Sequence, residues 1–450
     1  MRTNLVRVQD DGLFAPTFTT GEVRAKGEAP ADGLVADSAT VVPHVTVENF
    51  LAADASVVVA VSLFSADGAT LVSSSLPAPA NITAGGGAIT VSPPPFAVSD
   101  AELWSVARPY LYVLVASVFA SDGATLLDTV NTTLGVRAMR FDGQSGLFVN
   151  EQNVRIRGFC EHNNAGGVGM AVPARVNLLR LQQLRGMGGN AWRMAHNAAE
   201  PATLELTDRL GVLVLDENRV NSEAALLAQD TTDLADLARR DRQHASIFAW
   251  SFCNEFQCSP ATQPTLDMKI AADALDGSRA VTANMFLAQV QQSANATDIL
   301  DLQGFSHQEQ DIFDAFHALF PAKPVMATEC CGCKSQRLED WDLPRNYSSA
   351  FYDSTGIANP QCVQKPQWAA AYRTPFSAGL MTWTAHDYFG EPNGWPHISA
   401  SHGQFDLVQL PKAASYWYRV RLNHARARAR ARSLARAHSP NPQPRPAAAS

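Results

Sequence analysis

Residues 154–195 contain the strand–helix–strand unit that decides the fold of the longer part of the chain. VRIRGF (154–159) and NAWRMA (190–195) are patterned as strands, and ARVNLLRLQQLRGMG (174–188) between them is patterned as a helix. Two strands joined by a helix of this length are typical of neighbouring parallel strands in one sheet.

The same alternation continues toward the C-terminus and predicts eight strands. A closed (β/α)8 barrel has eight such strands, and its chemistry lies at their carboxyl ends. The predicted strands are VRIRGF (154–159), NAWRMA (190–195), GVLVLDE (211–217), SIFAWSF (246–252), AVTAN (280–284), LQGFS (302–306), PVMATE (324–329) and GLMTWT (379–384).

Residues 1–138 have a different pattern and are predicted to be all-β. Short runs rich in Val, Thr, Leu and Phe alternate with turns, and Asp-Gly pairs at 67–68 and 122–123 signal hairpins. About seven strands fit an immunoglobulin-like sandwich, with a barrel or a partial sandwich as the alternative. We therefore expect a sandwich over 1–138, a (β/α)8 barrel over 139–420 and a disordered Arg/Ala/Pro tail over 421–450.

Charge and hydropathy limit the possible partners. The net charge is −8, and six arginines without any acid lie in residues 425–450, so the rest of the chain is more acidic still. An acidic body argues against nucleic-acid binding, and no apolar run reaches the roughly 18 residues that a membrane span needs. The first residues lack the apolar core of a signal peptide, while sequons such as Asn81 and Asn131 hint at secretion, so the compartment stays open.

Two glutamates end apolar strands and carry the chemical prediction. Glu255 follows the fourth strand in WSFCNEF, and Glu329 ends the seventh in PVMATE. Either one alone could be a structural acid. At the carboxyl ends of strands 4 and 7 they face each other, as the proton donor and the nucleophile of a retaining glycosidase do. Aromatic neighbours should desolvate Glu255 and raise its pKa, as a general acid requires.

Further polar and aromatic side chains follow other strands. Arg193 could keep Glu329 ionised, His196 could bind a sugar hydroxyl, and His307 could orient the nucleophile, although histidines are often structural. Trp383 could form a floor under a sugar ring, and Asp387 could accept hydrogen bonds from hydroxyls. We also place His162 among the predicted substrate-binding residues.

The cysteines predict no metal site. Cys330, Cys331 and Cys333 have the spacing C-C-x-C without a second ligand pair nearby, which is a poor match to zinc sites. A disulfide between Cys258 and one of these three is the more plausible use. We expect neither a cofactor nor a metal.

The motifs from about residue 100 to 420 together resemble glycoside hydrolase family 2, the β-galactosidase family. They are LWSVARPYLY, RIRGF, NAWRMAHNAAEPATLELTDRLGVLVLDE, WSFCNEF, ATECC and WTAHDYFGEPNGWP, in the order found in that family. The resemblance implies that Glu255 is the acid/base and Glu329 the nucleophile. It also implies that Asn254 binds the sugar 2-hydroxyl, and that Arg193 and His196 belong to the family's N-x-x-R-x-x-H motif.

Some features depart from the family pattern. A jelly-roll domain usually precedes the sandwich and contributes to the pocket, but here the sandwich starts almost at once. The position after strand 6 is usually tyrosine, whereas this chain has His307.

The sequence thus predicts a retaining exo-β-glycosidase that hydrolyses terminal β-galactosides, with a carbohydrate as its partner. The residues 387–392 resemble the β-galactosidase branch, and we find no N-x-K motif of the glucuronidase branch near strand 8. A β-glucuronidase, a β-mannosidase and an inactive truncated carbohydrate-binding homologue remain as alternatives. The oligomeric state is open.

Overall fold

A computed structural model describes residues 4–28, 32–219, 227–255, 258, 262–287, 290, 294–332, 364–390, 398–420 and 422. Within these residues the chain forms a β-sandwich followed by a closed eight-stranded parallel barrel. The predicted fold class is confirmed.

The N-terminal part consists of antiparallel strands, more of them than the predicted seven. They are β1 (Val6–Phe14), β2 (Thr17–Ala25), β3 (Leu34–Val41), β4 (His44–Asn49), β5 (Ala55–Phe64), β6 (Leu71–Ser74), β7 (Ala78–Ile82), β8 (Gly87–Val91), β9 (Phe96–Leu103), β10 (Tyr112–Ala120) and β11 (Leu126–Leu134). Three sheets have the orders β1-β4-β8, β2-β3-β9 and β11-β10-β5-β6, with β7 also paired to β5.

Alternation of buried and exposed side chains explains why these strands form. Along β5 every second residue from Val57 to Leu63 is buried, and β10 buries its own alternate residues against the same core. Both predicted Asp-Gly hairpins are present, and they join β5 to β6 and β10 to β11. Gly68 and Gly123 adopt the positive φ that such turns require.

A small antiparallel sheet leads into the barrel. It contains β12 (Met139–Asp142), β13 (Gly146–Val149) and β14 (Gln152–Val154).

All eight predicted barrel strands are present, with ends shifted by up to a few residues. They are β15 (Ile156–His162), β16 (Ala191–Ala195), β17 (Leu213–Glu217), β18 (Ile247–Asn254), β19 (Ala280–Met285), β20 (Gln303–Ser306), β21 (Val325–Cys330) and β22 (Ser377–Thr382). Nearly every residue in them is buried, as expected of parallel strands covered on both faces.

Helices lie between consecutive barrel strands. Their bounds are α1 (Ala174–Gly186), α2 (Pro201–Leu210), α3 (Leu227–Asp241), α4 (Thr262–Asp276), α5 (Ala294–Ile299), α6 (Gln310–Leu319) and α7 (Gln364–Arg373). A short hairpin of β23 (Tyr388–Phe389) and β24 (Ser399–Ala400) follows β22, and residues 413–420 are helical. Among the described residues, no helix is both long enough and apolar enough to cross a bilayer.

The sandwich is joined to the barrel by buried hydrogen bonds. Trp104 is fully buried, and its indole Nε1 donates to the carbonyl of Asp208 at 2.8 Å. Arg137 donates to the carbonyls of Ala245 at 2.6 Å and Ile247 at 3.1 Å, where β18 begins. These contacts lie at the amino ends of the barrel strands. They therefore do not cover the carboxyl ends of the strands. The predicted tail lies outside the described residues, apart from Leu422.

Candidate active site

The structure brings Glu255 and Glu329 together at the carboxyl end of the barrel. Glu329 lies within β21, and Glu255 directly follows β18. One carboxylate oxygen of each and a ring nitrogen of His307 all lie within 4.8 Å of one another. Glu329 is buried, whereas the Glu255 side chain keeps 21% of its surface exposed. One carboxylate is therefore enclosed, while the other borders the solvent.

Arg193 connects this pair to the rest of the site. Its guanidinium is fully buried and donates to Glu329 Oε2 at 2.7 Å, to Glu217 Oε2 at 2.8 and 2.6 Å, and to Asn254 Oδ1 at 2.8 Å. A planar guanidinium suits such simultaneous contacts, because its donors have fixed directions. The prediction that Arg193 lies beside Glu329 therefore agrees with the geometry.

Glu217 is a site residue that the sequence analysis missed. It ends β17 and is fully buried, and it accepts hydrogen bonds from Arg193, from Ser251 Oγ at 2.9 Å and from His196 Nδ1 at 2.8 Å. Burial opposes its ionisation, but the charge of Arg193 and the hydrogen bond from His196, with the charge of His196, together outweigh burial and lower the pKa of Glu217. The available signal was its position, since it ends an apolar strand as Glu329 does.

His196 directly follows β16, and 19% of its side-chain surface is exposed. Burial lowers its pKa, but the hydrogen bond to Glu217 and the negative charges of Glu217 and Glu329 together outweigh burial and raise the pKa above its ordinary value. Among its neighbours is the ring of Trp383, which stacks on His196 with centroids 5.2 Å apart and planes 4° apart.

Two asparagines, Asn254 and Asn284, also belong to the hydrogen-bond network around Arg193 and Glu329. The Asn254 oxygen accepts from Arg193 and, at 2.7 Å, from Asn284 Nδ2. The same Asn284 nitrogen is 3.3 Å from Glu329 Oε2. Because Arg193 can only donate, the orientation of the Asn254 amide is determined, and its nitrogen faces away from Arg193. Asn284, at the end of the predicted fifth strand, was also missed.

Ser306 ends β20 and His307 directly follows it, and each hydrogen-bonds one of the two carboxylates. His307 Nε2 is 3.0 Å from Glu329 Oε1 and 3.9 Å from Glu255 Oε1, and the hydroxyl of Ser306 donates to Glu255 Oε1 at 2.6 Å. Burial lowers the pKa of His307, but the hydrogen bond to Glu329 and its charge outweigh burial and raise it. Ser306 was not among the predicted site residues.

The two carboxyl groups have pKa values shifted in opposite directions. Burial would raise the pKa of Glu329, but the hydrogen bond from His307 and the charge of Arg193 outweigh it and hold that pKa well below its usual range. For Glu255, burial raises the pKa, the negative charge of Glu329 raises it further, and the Ser306 hydroxyl offsets only part of this. The pKa values of the two carboxyl groups are thus shifted apart, as in active sites that pair a carboxylate with a carboxylic acid.

Trp383 and His162 lie at the same mouth within an aromatic cluster. The Trp383 indole donates to the Tyr388 hydroxyl at 3.1 Å and is 5% exposed. The ring of His162 lies 5.3 Å from that of Trp383 and 4.2 Å from that of Tyr388. Both predicted residues therefore lie beside His196, but most of the Trp383 ring is already covered. Its role as a sugar platform stays a prediction.

Asp387 is nearly buried beside the same cluster. Its Oδ1 accepts from Lys412 Nζ at 2.6 Å and from the backbone N–H of Gly403 at 2.9 Å. Burial raises the pKa of Asp387 to about 6, although Lys412 opposes the shift. That oxygen has protein partners, so contact with a sugar hydroxyl stays a prediction for this residue.

The cysteines adjoin the site in another pairing than expected. Cys258 forms a disulfide with Cys253, and Cys330 forms one with Cys331, so the predicted bridge from Cys258 to the 330–333 group is wrong. The backbone N–H of Cys258 donates to the carbonyl of Glu255 at 2.8 Å, beside Cys253, and the sequence spacing alone did not reveal this contact. Cys160 is free and buried, and Cys333 lies outside the described residues.

Glu255, His307 and Glu329 also form a group whose donor atoms are close enough to hold one metal ion. Their arrangement is already accounted for by hydrogen bonds, since His307 and Arg193 both contact Glu329. The expected absence of a metal stays a prediction.

Two family models match the chain over most of its length. Residues 142–335 match the TIM barrel domain of the glycosyl hydrolases family 2, and residues 30–137 match a further domain of the glycosyl hydrolases family 2.

Curated relatives and solved structures agree with these matches. A β-galactosidase of Bacteroides ovatus is 29% identical over 72% of this chain and 44% of its own length. A putative β-glucuronidase of Formosa agariphila is 27% identical over 72% of this chain and 34% of its own length. The crystal structure of a Bacteroides uniformis β-glucuronidase has a TM-score of 0.76 at 21% identity, over 92% of this chain and 51% of that one. The chain thus spans less than half the length of these two curated relatives.

We predict that Glu217→Gln destabilises the fold by about 3 kcal/mol, because it removes one carboxylate from a buried ion pair and leaves Arg193 with less compensation. Urea unfolding measures the change. The matched control is Glu205→Gln, whose carboxylate pairs with Arg209 at 3.6 Å and is 59% exposed. That control should change stability by less than about 0.5 kcal/mol. Equal unfolding midpoints for the two variants would contradict the prediction.

Proposed function

Because the chain belongs to glycoside hydrolase family 2, we propose that it hydrolyses terminal β-galactosides with retention of the anomeric configuration. One observation carries the proposal. One oxygen of Glu255 lies within 4.8 Å of one oxygen of Glu329, and this approach suits the about 5 to 5.5 Å between the carboxyl groups of retaining enzymes better than the about 6.5 to 9.5 Å of inverting ones. The catalytic unit in this proposal is the barrel, residues 139–420.

In the first step the glycosidic bond breaks and a bond to Glu329 forms. A Glu329 oxygen attacks the anomeric carbon, and the electron pair of the breaking bond goes to the leaving oxygen. Glu255 reacts in its protonated form, which burial and the negative charge of Glu329 favour, and gives its proton to that oxygen. The sugar is then held as an ester of Glu329, and Glu255 is a carboxylate.

In the second step water releases the sugar. Glu255 now accepts a proton from water, whose oxygen attacks the anomeric carbon and displaces Glu329. Two inversions at one carbon give net retention. Both residues return to their starting protonation states, so each cycle consumes one glycoside and one water molecule.

In this proposal, hydrogen bonds from neighbouring side chains keep Glu329 ionised and orient its carboxylate toward the anomeric carbon. Arg193 and Asn284 hold Oε2, and His307 holds Oε1. Asn254, whose oxygen is occupied by protein donors, presents its amide nitrogen as a donor to the sugar 2-hydroxyl. His196 and His162 flank this position and contact other hydroxyls in the proposal, with Trp383 and Asp387 forming the adjoining wall.

The charge balance of the described pocket favours a neutral sugar. A uronate needs an available cation, but the buried cations Arg193 and Lys412 already have carboxylate partners at 2.6 to 2.8 Å. A β-glucuronide remains the second candidate, because several curated relatives are named β-glucuronidases.

A carbohydrate-binding homologue without catalytic activity is the third possibility. Loss of chemistry usually leaves one or more reacting groups replaced, whereas here the two carboxylates and their supporting contacts are all in place. These contacts favour an enzyme over a carbohydrate-binding module.

We predict that, in a panel of nitrophenyl β-glycosides, the galactoside has the highest kcat/KM, ahead of the mannoside and the glucuronide.

Glu329→Gln should lower kcat by at least about 10⁴-fold, because it removes the nucleophile. Glu309→Gln, at an exposed glutamate of the same barrel, is the matched control and should keep wild-type activity. Faster hydrolysis of the glucuronide would contradict the choice of sugar, and full activity of Glu329→Gln would contradict the mechanism.

We predict a bell-shaped dependence of kcat/KM on pH. Activity falls on the acid side as Glu329 becomes protonated, well below the ordinary carboxyl pKa of about 4.3, and on the alkaline side as Glu255 loses its proton, above that value. Ser306→Ala should move the alkaline limb to higher pH, since it removes a hydrogen bond that favours ionised Glu255. Ser377→Ala, at a buried serine where β22 begins, is the control. The control should leave the alkaline limb in place. An alkaline limb that also stays in place in Ser306→Ala would refute the assignment of Glu255.

A further inference from the structure

Gln367 is a buried glutamine on α7 that makes two hydrogen bonds to the backbone at the mouth of the barrel. Its Oε1 accepts from the N–H of Cys331 at 2.8 Å, and its Nε2 donates to the carbonyl of His307 at 3.0 Å. A backbone N–H can only donate and a carbonyl can only accept, so both ends of the amide are determined by chemistry. One side chain thus connects the segments after β20 and β21.

The two backbone sites that Gln367 contacts have an uncommon conformation. His307 has φ +52° and Cys331 has φ +68°, in the left-handed region that residues with a Cβ rarely adopt. Both lie at or beyond the strand ends, where ladder hydrogen bonds run out. Such conformations persist only where surrounding contacts hold them, and Gln367 supplies a contact to each.

The conformation at these two sites sets the position of catalytic groups. His307 directs its ring to Glu329 Oε1 at 3.0 Å, and its own N–H donates to the carbonyl of Glu329 at 2.9 Å. Cys331 lies two residues beyond Glu329. Gln367 therefore holds the chain on both sides of the contact between His307 and Glu329 without touching either carboxylate itself.

We propose that Gln367 is a positioning residue, which keeps the His307 imidazole against the nucleophile Glu329. The inference rests on the proposed function for its catalytic meaning. The charged groups that face His307 are Glu329 on β21, Glu255 after β18 and, behind Glu329, Arg193 on β16. Of these, Glu329 is the one within hydrogen-bond distance of the ring, so displacement of His307 acts first on Glu329.

The test replaces Gln367 by Met, which keeps the length and removes both hydrogen bonds. We expect kcat to fall on the order of ten- to a hundredfold, as misplaced catalytic groups do, with KM changed less than threefold. The acid limb of kcat/KM should move to higher pH, because Glu329 loses part of the contact that favours its ionised form. Gln303→Met is the matched control, since Gln303 is buried at the start of β20 and hydrogen-bonds Gly304 and Thr297. It should leave the acid limb in place.

A double-mutant cycle with His307→Phe separates positioning from general stability. If Gln367 acts through His307, adding Gln367→Met to His307→Phe lowers kcat no further. Additive losses, or an unmoved acid limb in Gln367→Met, would overturn the proposal. If Gln367→Met does not fold, Gln367→Glu serves in its place, because it keeps the acceptor toward Cys331 and loses the donor toward His307 at neutral pH.

A readout without turnover keeps this proposal distinct from the proposed function. Histidine-labelled protein gives an NMR titration of His307, assigned by its loss in His307→Phe. Its pKa should fall toward the ordinary value in Gln367→Met and stay unchanged in Gln303→Met. A wild-type chain that hydrolyses no glycoside contradicts the proposed function, whereas an unchanged His307 titration contradicts the role of Gln367.

Discussion

The buried guanidinium of Arg193 is the interaction on which the site depends. It lies between the carboxylates of Glu217 and Glu329 and also holds the oxygen of Asn254. A fully buried cation is tolerated only with good partners, and here two carboxylates share one positive charge. The second carboxylate is partly balanced by His196, which bonds Glu217 on its other oxygen. The network therefore fixes both the charge and the direction of the proposed nucleophile.

The barrel supplies this network because its strands end at one rim. Arg193, Glu217, Asn254, Asn284 and Glu329 come from five different strands, and each lies at or near the carboxyl end of its strand. Residues far apart in sequence therefore meet within hydrogen-bond distance. The sandwich contacts the opposite rim through Trp104 and Arg137. These two contacts therefore support the barrel at the end opposite to the site.

Sequence patterns were sufficient to predict the barrel and to place Glu255 and Glu329 at the carboxyl ends of its strands. Glu255 and Glu329 stand out because a charged residue directly ends or follows an apolar strand. Glu217 has the same signature and was still missed, since the pattern alone does not say which strand-end acids point inward. Asn284 was missed because an asparagine after a short apolar run resembles a turn residue. Gln367 lies on a helix outside the barrel, and only the folded geometry shows that its amide reaches two strand ends. The disulfide of Cys258 with Cys253 accompanies a backbone hydrogen bond from Cys258 to Glu255, which spacing does not reveal.

Trapping of the covalent intermediate tests the central claim most directly. A 2-deoxy-2-fluoro glycoside with a good leaving group, built on the sugar that the enzyme hydrolyses fastest, should accumulate as an ester, because the fluorine slows both steps and the leaving group speeds the first. We predict that intact-mass measurement shows one added fluoroglycosyl unit and that peptide mapping places it on Glu329. The Glu329→Gln variant should gain no mass. A label on Glu255, or turnover of the parent sugar with inversion at the anomeric carbon, would contradict the account.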